Sequence, residues 1–177
     1  MTAAPVVVGL AVGIAMIILF SVLRIPGGVS DTSSVLITME RTPCFGTCPS
    51  YSLIIHGNGT VRYEGFAFVA VTGVRTDQIN EEKIRDLVQE FYRIDYFSLQ
   101  DRYEDPSTDL PSTTTSIAIT GIKKSVYRYG FGPENLIQLE NKIDEIAGTE
   151  RWIEGPGVVP ADLSMRYQYG YGGTYYL

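Results

Sequence analysis

Histidine and cysteine are almost absent from this sequence, with one His and two Cys in 177 residues. A structural zinc site takes four nitrogen or sulfur ligands, which His and Cys alone cannot supply here. Basic charge is also scarce. Fourteen Lys and Arg stand against twenty Asp and Glu, a formal −6, and Arg24 is the only charge before Asp31, so the chain from residue 31 on carries −7. A nucleic-acid partner needs a basic face to neutralise phosphates, and an anionic lipid surface needs a basic cluster. Neither is available. A P-loop, a complete G-x-G-x-x-G and a G-x-S-x-G nucleophile elbow are missing too. No catalytic motif remains, and the chain is expected not to be an enzyme.

What is present begins with an apolar run. Val6 to Leu23 are eighteen residues without a charge, closed by Arg24 and broken by Pro26, Gly27 and Gly28. As a helix this run rises about 27 Å, close to the thickness of bilayer hydrocarbon. A cleaved signal peptide would want a basic start, a shorter run and a small-residue cleavage site. "MTAAP" has no Lys or Arg, and "RIPGGVS" offers no clean site. The reading is a single-pass anchor over residues 6–25, after a short tail over 1–5 and before a linker over 26–33. Gly9 and Gly13 place two bare backbone patches on one helix face, where another membrane helix can approach. Glycine is also simply common in membrane helices.

The next 120 or so residues suffice for one core. "SVLITMER" alternates as a strand, and "YSLIIHGNGTVRYEG" reads as a hairpin around Gly57, Asn58 and Gly59. "FAFVAVTGVRT" continues as a further strand. Asn80 caps a helix with Ile84, Leu87, Val88 and Phe91 on one face. "STTTSIAITGIKKSVYRYG" is a second hairpin turning near Gly121. Gly132 and Pro133 then open a helix striped by Leu136, Leu139, Ile143 and Ile146. Two strand runs, each followed by a helix, predict an α+β domain over residues 34–153: an antiparallel sheet with two helices on one face. Tyr51, Tyr63, Tyr127 and Tyr129 read as cross-strand packing.

From residue 154 the composition changes. Five of the twelve tyrosines, Tyr167, Tyr169, Tyr171, Tyr175 and Tyr176, fall in the last eleven residues. Two readings stay open: a flexible Gly/Tyr-rich tail, or an adhesive strip that docks on partners or at a membrane interface.

Both cysteines lie in "TPCFGTCPSY". Together with "YSLIIHGNGTVRYEG", "YEDPSTDLPSTTTSIAITGIKKSVYRYG" and the final helix, this stretch resembles an uncharacterised prokaryotic domain family. The resemblance covers roughly residues 34–152 and rests on Cys44, Phe45, Gly46, Cys48, Pro49, Tyr51, Gly59, Tyr63, Asp109 and Pro111. The family carries no established activity, so the resemblance implies a fold and a bias towards secreted or anchored proteins, and no chemistry.

Three states compete for the thiols. A disulfide needs Cα atoms about 4.4–6.8 Å apart, which residues four apart reach if Gly46 and Pro49 turn the chain. An oxidising compartment favours that state, and it is the leading expectation, with Phe45, Gly46, Pro49 and Tyr51 shaping the loop. Cys-x-x-x-Cys-Pro also resembles the copper loop of thioredoxin-like copper chaperones, with His56 as the available third ligand. A redox dithiol expects Cys-x-x-Cys at a helix start, and that context is missing. Asp101, Glu104, Asp105 and Asp109 could bind Ca²⁺ or pair for glycoside hydrolysis, but they lack EF-hand spacing and read as solvated loop. "NGT" at Asn58 fits a glycosylation acceptor and, equally well, a hairpin turn.

The expectation is a membrane-anchored, extracytoplasmic, non-catalytic interaction domain without cofactor. It would serve as an accessory subunit in a membrane complex and contact lipid bilayer, other transmembrane helices or complex subunits, and no nucleic acid. The alternative is a thiol-based copper or redox protein.

Overall fold

The computed structural model describes residues 31–154. The expected membrane span with Gly9 and Gly13, and the tyrosine-rich tail, lie outside the described residues. Among the described residues no helix is long and apolar enough to cross a membrane.

The domain is mixed α+β. Its strands are β1 (Leu36–Arg41), β2 (Ser50–His56), β3 (Thr60–Ala67), β4 (Gly73–Gln78), β5 (Arg102–Glu104), β6 (Ser112–Ile119) and β7 (Ile122–Tyr129). The helices are α1 (Glu81–Arg93), α2 (Glu134–Ala147) and the short α3 (Glu150–Ile153), with a 3-10 turn at Tyr96–Ser98. One seven-stranded sheet runs in the order β4-β3-β2-β1-β6-β7-β5. The two hairpins, β2–β3 and β6–β7, flank β1, which pairs antiparallel with both β2 and β6.

Period-two alternation sets the two faces. Ile37 and Met39 of β1, Leu53 and Ile55 of β2, Val61 and Tyr63 of β3 and Ile117 of β6 all point to one side and are buried. Registers such as Ile37 with Ile55 and Ile117, or Met39 with Leu53, stack these side chains in rows. The helices cover that side. Ile84, Leu87, Val88 and Phe91 of α1 and Leu136, Leu139 and Ile143 of α2 join the same core. Asn80 accepts the Lys83 backbone N–H at 3.0 Å, the N-cap that satisfies a donor of the first turn. Gly148 ends α2 in the left-handed conformation that glycine adopts without cost.

The structure corrects the sequence reading in three places. The sheet is mixed, because β5 in the acidic segment adds parallel to β7. A third helix follows α2. "FAFVAVTGVRT" is divided rather than continuous: β3 runs on to Ala67, and β4 begins at Gly73. Phe68 adopts a positive φ of 55°, which a strand cannot hold. The strap that follows bonds elsewhere, with Ala70 N–H to Ile153 C=O and Val71 N–H to Trp152 C=O, both at 2.9 Å. A contact eighty residues away in sequence competes with strand propensity and wins.

Both predicted turns form. Asn58 Oδ1 accepts the Thr60 N–H at 3.0 Å within the first. Thr120 and Gly121 both take positive φ in the second, as a two-residue hairpin loop requires.

Candidate functional site: a stapled loop above a buried row of ion pairs

The β1–β2 connection is the cysteine loop. Arg41 and Tyr51 are cross-strand partners, so the ten-residue stretch of the motif closes on itself at the end of the hairpin. Cys44 and Cys48 form a disulfide with Cα atoms 5.5 Å apart. Cys48 is buried, whereas Phe45 between them is 88% exposed. The loop is also tied to its neighbour. Thr42 N–H donates to Ser112 C=O and Phe45 N–H to Asp109 C=O, each at 3.0 Å. Gly130 N–H reaches Pro111 C=O at 3.0 Å. The Asp109–Pro111 segment is thereby flanked by the cysteine loop on one side and the β7–α2 loop on the other. The second loop carries Phe131, 67% exposed. One end of the sheet thus displays two aromatic rings on loops held by main-chain bonds and a disulfide.

Beneath this end lies a row that the sequence reading did not identify. Arg128, Thr113, Arg41 and Tyr51 stand side by side across β7, β6, β1 and β2 on the helix-covered face. Glu140 and Asp144, one turn apart on α2, point down at them, and all six residues are buried. Arg41 Nη2 donates to Asp144 Oδ2 at 2.8 Å and its Nε to Tyr51 Oη at 3.1 Å. Tyr51 donates to Asp144 Oδ1 at 2.6 Å, where Thr149 Oγ1 also donates at 2.9 Å. Arg128 holds Glu140 through Nη2 at 2.6 Å and Nε at 3.1 Å, and its Nη1 donates to Gly130 C=O at 2.5 Å. Thr113 Oγ1 accepts from both arginines at 3.1 Å. Two positive and two negative charges cancel, and each is hydrogen-bonded on several sides. In a dry interior such a set is tolerable only when complete.

The signal for this row is visible once the face is known. Arg41 continues the period of Ile37 and Met39, Arg128 continues that of Val126, and Glu140 and Asp144 fall within the apolar stripe of α2. Four charges on apolar faces, balanced in sign, are the pattern of a buried network. Its chemistry is structural: it fastens α2 to the sheet under the cysteine loop and, through Gly130, fixes the loop bearing Phe131. Burial, and then the Asp144 charge, push the Tyr63 hydroxyl up to about 12, against a smaller pull from Arg75. Burial and the Glu140 charge push Tyr96 well above its ordinary value. Both stay protonated and serve as donors, Tyr63 to Val71 C=O and Tyr96 to Thr115 C=O.

The other sequence candidates are spread apart. His56 ends β2, whereas the cysteines precede its start, so the length of a strand (about 20 Å) separates the imidazole from the sulfurs. Among the described residues no cluster of three or more His, Cys, Asp or Glu could hold a metal ion. Asp101 pairs with Lys124 and Glu104 with Arg102. Asp105 accepts the Ser107 N–H at 2.8 Å, and that residue's hydrogen bonds hold its carboxyl below the ordinary value. Tyr51 and Tyr63 do pack across the sheet, ring centroids 5.6 Å apart. Tyr127 lies on the opposite face under Arg102, 4.1 Å from ring centre to guanidinium.

The disulfide closes so small a ring that opening it should cost about 2 kcal/mol at most. The Cys44→Ser/Cys48→Ser double variant is therefore expected to stay folded with a slightly lower Tm. Thiol labelling of the unfolded, unreduced protein should find no free cysteine. Labelling at both positions would remove the staple.

Residues 35–147 match a family described as a domain of unknown function (DUF6438). No curated protein matches the chain. The matched segment takes in the disulfide loop, the row of Arg128, Thr113, Arg41 and Tyr51, and both α2 carboxylates. Covering well over half of the sequence, it shows that the chain belongs to this uncharacterised DUF6438 domain family.

Proposed function

We propose that the chain is a membrane-anchored, extracytoplasmic interaction domain, an accessory subunit that meets its partner through the loop end of the sheet. The observation that carries this reading is the exposed pair Phe45, on the disulfide-stapled loop, and Phe131, on the loop fixed through Gly130. Rings held out into water on a rigid support bury large area on binding and lose little entropy. The location of this end supports the same reading. β1 runs from Leu36 to Arg41, so Leu36, where the chain enters the sheet, lies at the end of the strand away from the loops. The apolar run from Val6 to Leu23 supplies the anchor.

The test is extraction of the full chain from membranes in mild detergent, with mass spectrometry of co-purifying proteins, for the wild type and Phe45→Ser/Phe131→Ser. Carbonate washing should first leave the full-length chain in the pellet. A defined partner recovered with the wild type and lost at least several-fold from the variant is the expected result. Equal recovery with both proteins, or a wild type that purifies as a lone polypeptide, would remove the loop end from consideration.

A further inference from the structure

The two edges of the sheet differ. β5 is only three residues long, and its Arg102 and Glu104 pair with each other. A short edge with charges paired in place is poorly suited to accept another strand. β4 at the other edge has six residues, nearly all exposed. Its pairing with β3 shows which backbone groups are committed. Ile79 N–H donates to Gly59 C=O at 2.9 Å, and the register continues with Asp77 opposite Val61, Arg75 opposite Tyr63 and Gly73 opposite Gly65. Antiparallel ladders alternate, so Asp77, Arg75 and Gly73 bond to β3. The N–H and C=O groups of Val74, Thr76 and Gln78 point outward. Arg75 Nη1 donates to Val74 C=O at 2.7 Å, consistent with an outward carbonyl.

In the sequence of this edge, "GVRTDQ", the charges match when the segment is reversed about Thr76, Arg75 meeting Asp77. We infer that β4 pairs antiparallel with β4 of a second copy of the chain, with Thr76 facing Thr76 on a two-fold axis. In that register Val74 faces Gln78, and these two pairs together with the Thr76 pair are the outward-bonding positions. About six main-chain hydrogen bonds can form between them once the Gln78 N–H leaves its own Asp77 carboxyl and the Val74 C=O leaves Arg75 Nη1. Arg75 of each copy faces Asp77 of the other at the closer, non-bonded positions, where opposite charges interact best across strands. One residue of slip in either direction removes both the bonding match and the charge match. The Gln78 backbone N–H and then Arg151 hold the Asp77 carboxyl below its ordinary value, so it is charged at neutral pH. The contact is isologous and closes as a dimer rather than growing into a fibre. It leaves Phe45 and Phe131 at the loop ends unused, so it does not depend on the function proposed above.

Sedimentation of the full chain in detergent tests this with three variants. Thr76→Pro deletes a donor that faces away from β3 and puts a ring in the pairing direction, which an edge strand tolerates. Arg75→Asp sets like charges opposite each other. Arg75→Asp combined with Asp77→Arg restores the pattern with signs exchanged, although it does not restore the Arg151 contact with Asp77. The expected result is a dimeric wild type, a dissociation constant raised about tenfold or more by either single variant, and recovery in the charge-swapped protein. Circular dichroism matching the wild type confirms that each variant is folded. A monomeric wild type overturns the inference, and so does a dimer indifferent to Thr76→Pro and Arg75→Asp, the outcome if the anchor alone drives association. If a chain ending at Glu154 dimerises where the full chain does not, the occupant of the edge is the C-terminal segment, and the inference fails for the whole protein.

Discussion

Arg128→Met is expected to destabilise the domain by about 3–5 kcal/mol, the cost of leaving a buried charge without its partner. The substitution preserves most of the side-chain volume, so little of the loss would come from a cavity. It removes the donors that Glu140 receives at 2.6 and 3.1 Å, and the nearest remaining cation is Arg41, 3.7 Å from the carboxylate and committed to Asp144. Gly130 C=O also loses a donor. Pairing the change with Glu140→Leu should return most of the stability. Both charges are then gone, and an apolar pair in a dry site is close to neutral or better. The Arg41, Tyr51 and Asp144 group remains satisfied. Urea unfolding in mild detergent, followed by circular dichroism, measures all three proteins. A loss below about 1 kcal/mol for Arg128→Met would show that the row is hydrated, like a surface salt bridge.

Ending the chain after Ala147, where the family match stops, should be equally costly, although only the short α3 and its flanking residues are removed from the described domain. Trp152 and Ile153 are buried. The Trp152 ring packs on Tyr63 with centroids 4.8 Å apart, and the Arg151 guanidinium sits over the Trp152 ring, 4.3 Å from its centre. The main chain of 152–153 supplies the acceptors for Ala70 and Val71. Thr149 Oγ1, one of the donors to Asp144, would go as well. Trp152→Ala alone should lower stability by about 3–5 kcal/mol, the range for deleting a large buried ring. The comparison to make is urea unfolding of chains ending at 147 and at 154, alongside Trp152→Ala in the full chain. If the chain ending at 147 is as stable as the longer one, α3 is an appendage rather than part of the core.

Most of the elements were legible in the sequence because they announce themselves locally. The period-two runs around Ile37, Leu53 and Ile117, the Asn80 cap, the stripes of α1 and α2 and the positive-φ turn at Gly121 all depend on neighbours within a few residues. The cysteine loop was legible for the same reason, since its two thiols are four apart, with Gly46 between them and Pro49 directly after.

Tertiary structure decided what depends on residues far apart in the chain. Whether Arg41 and Arg128 were surface charges or core members could not be read from their own segments. Each is tolerable inside only because Glu140 and Asp144 arrive from α2, about a hundred residues after Arg41, and a buried charge is stable only beside its counter-charge. The break after Ala67 was hidden likewise, since Val69 and Val71 carry strand propensity while the backbone N–H groups of Ala70 and Val71 are claimed by Ile153 and Trp152. The parallel addition of β5 rests on three residues beside β7, too short for any periodicity to show. Local patterns determine which elements form. Which polar groups are buried, and which edge of the sheet is left open, is settled only when distant segments satisfy one another's hydrogen bonds and charges.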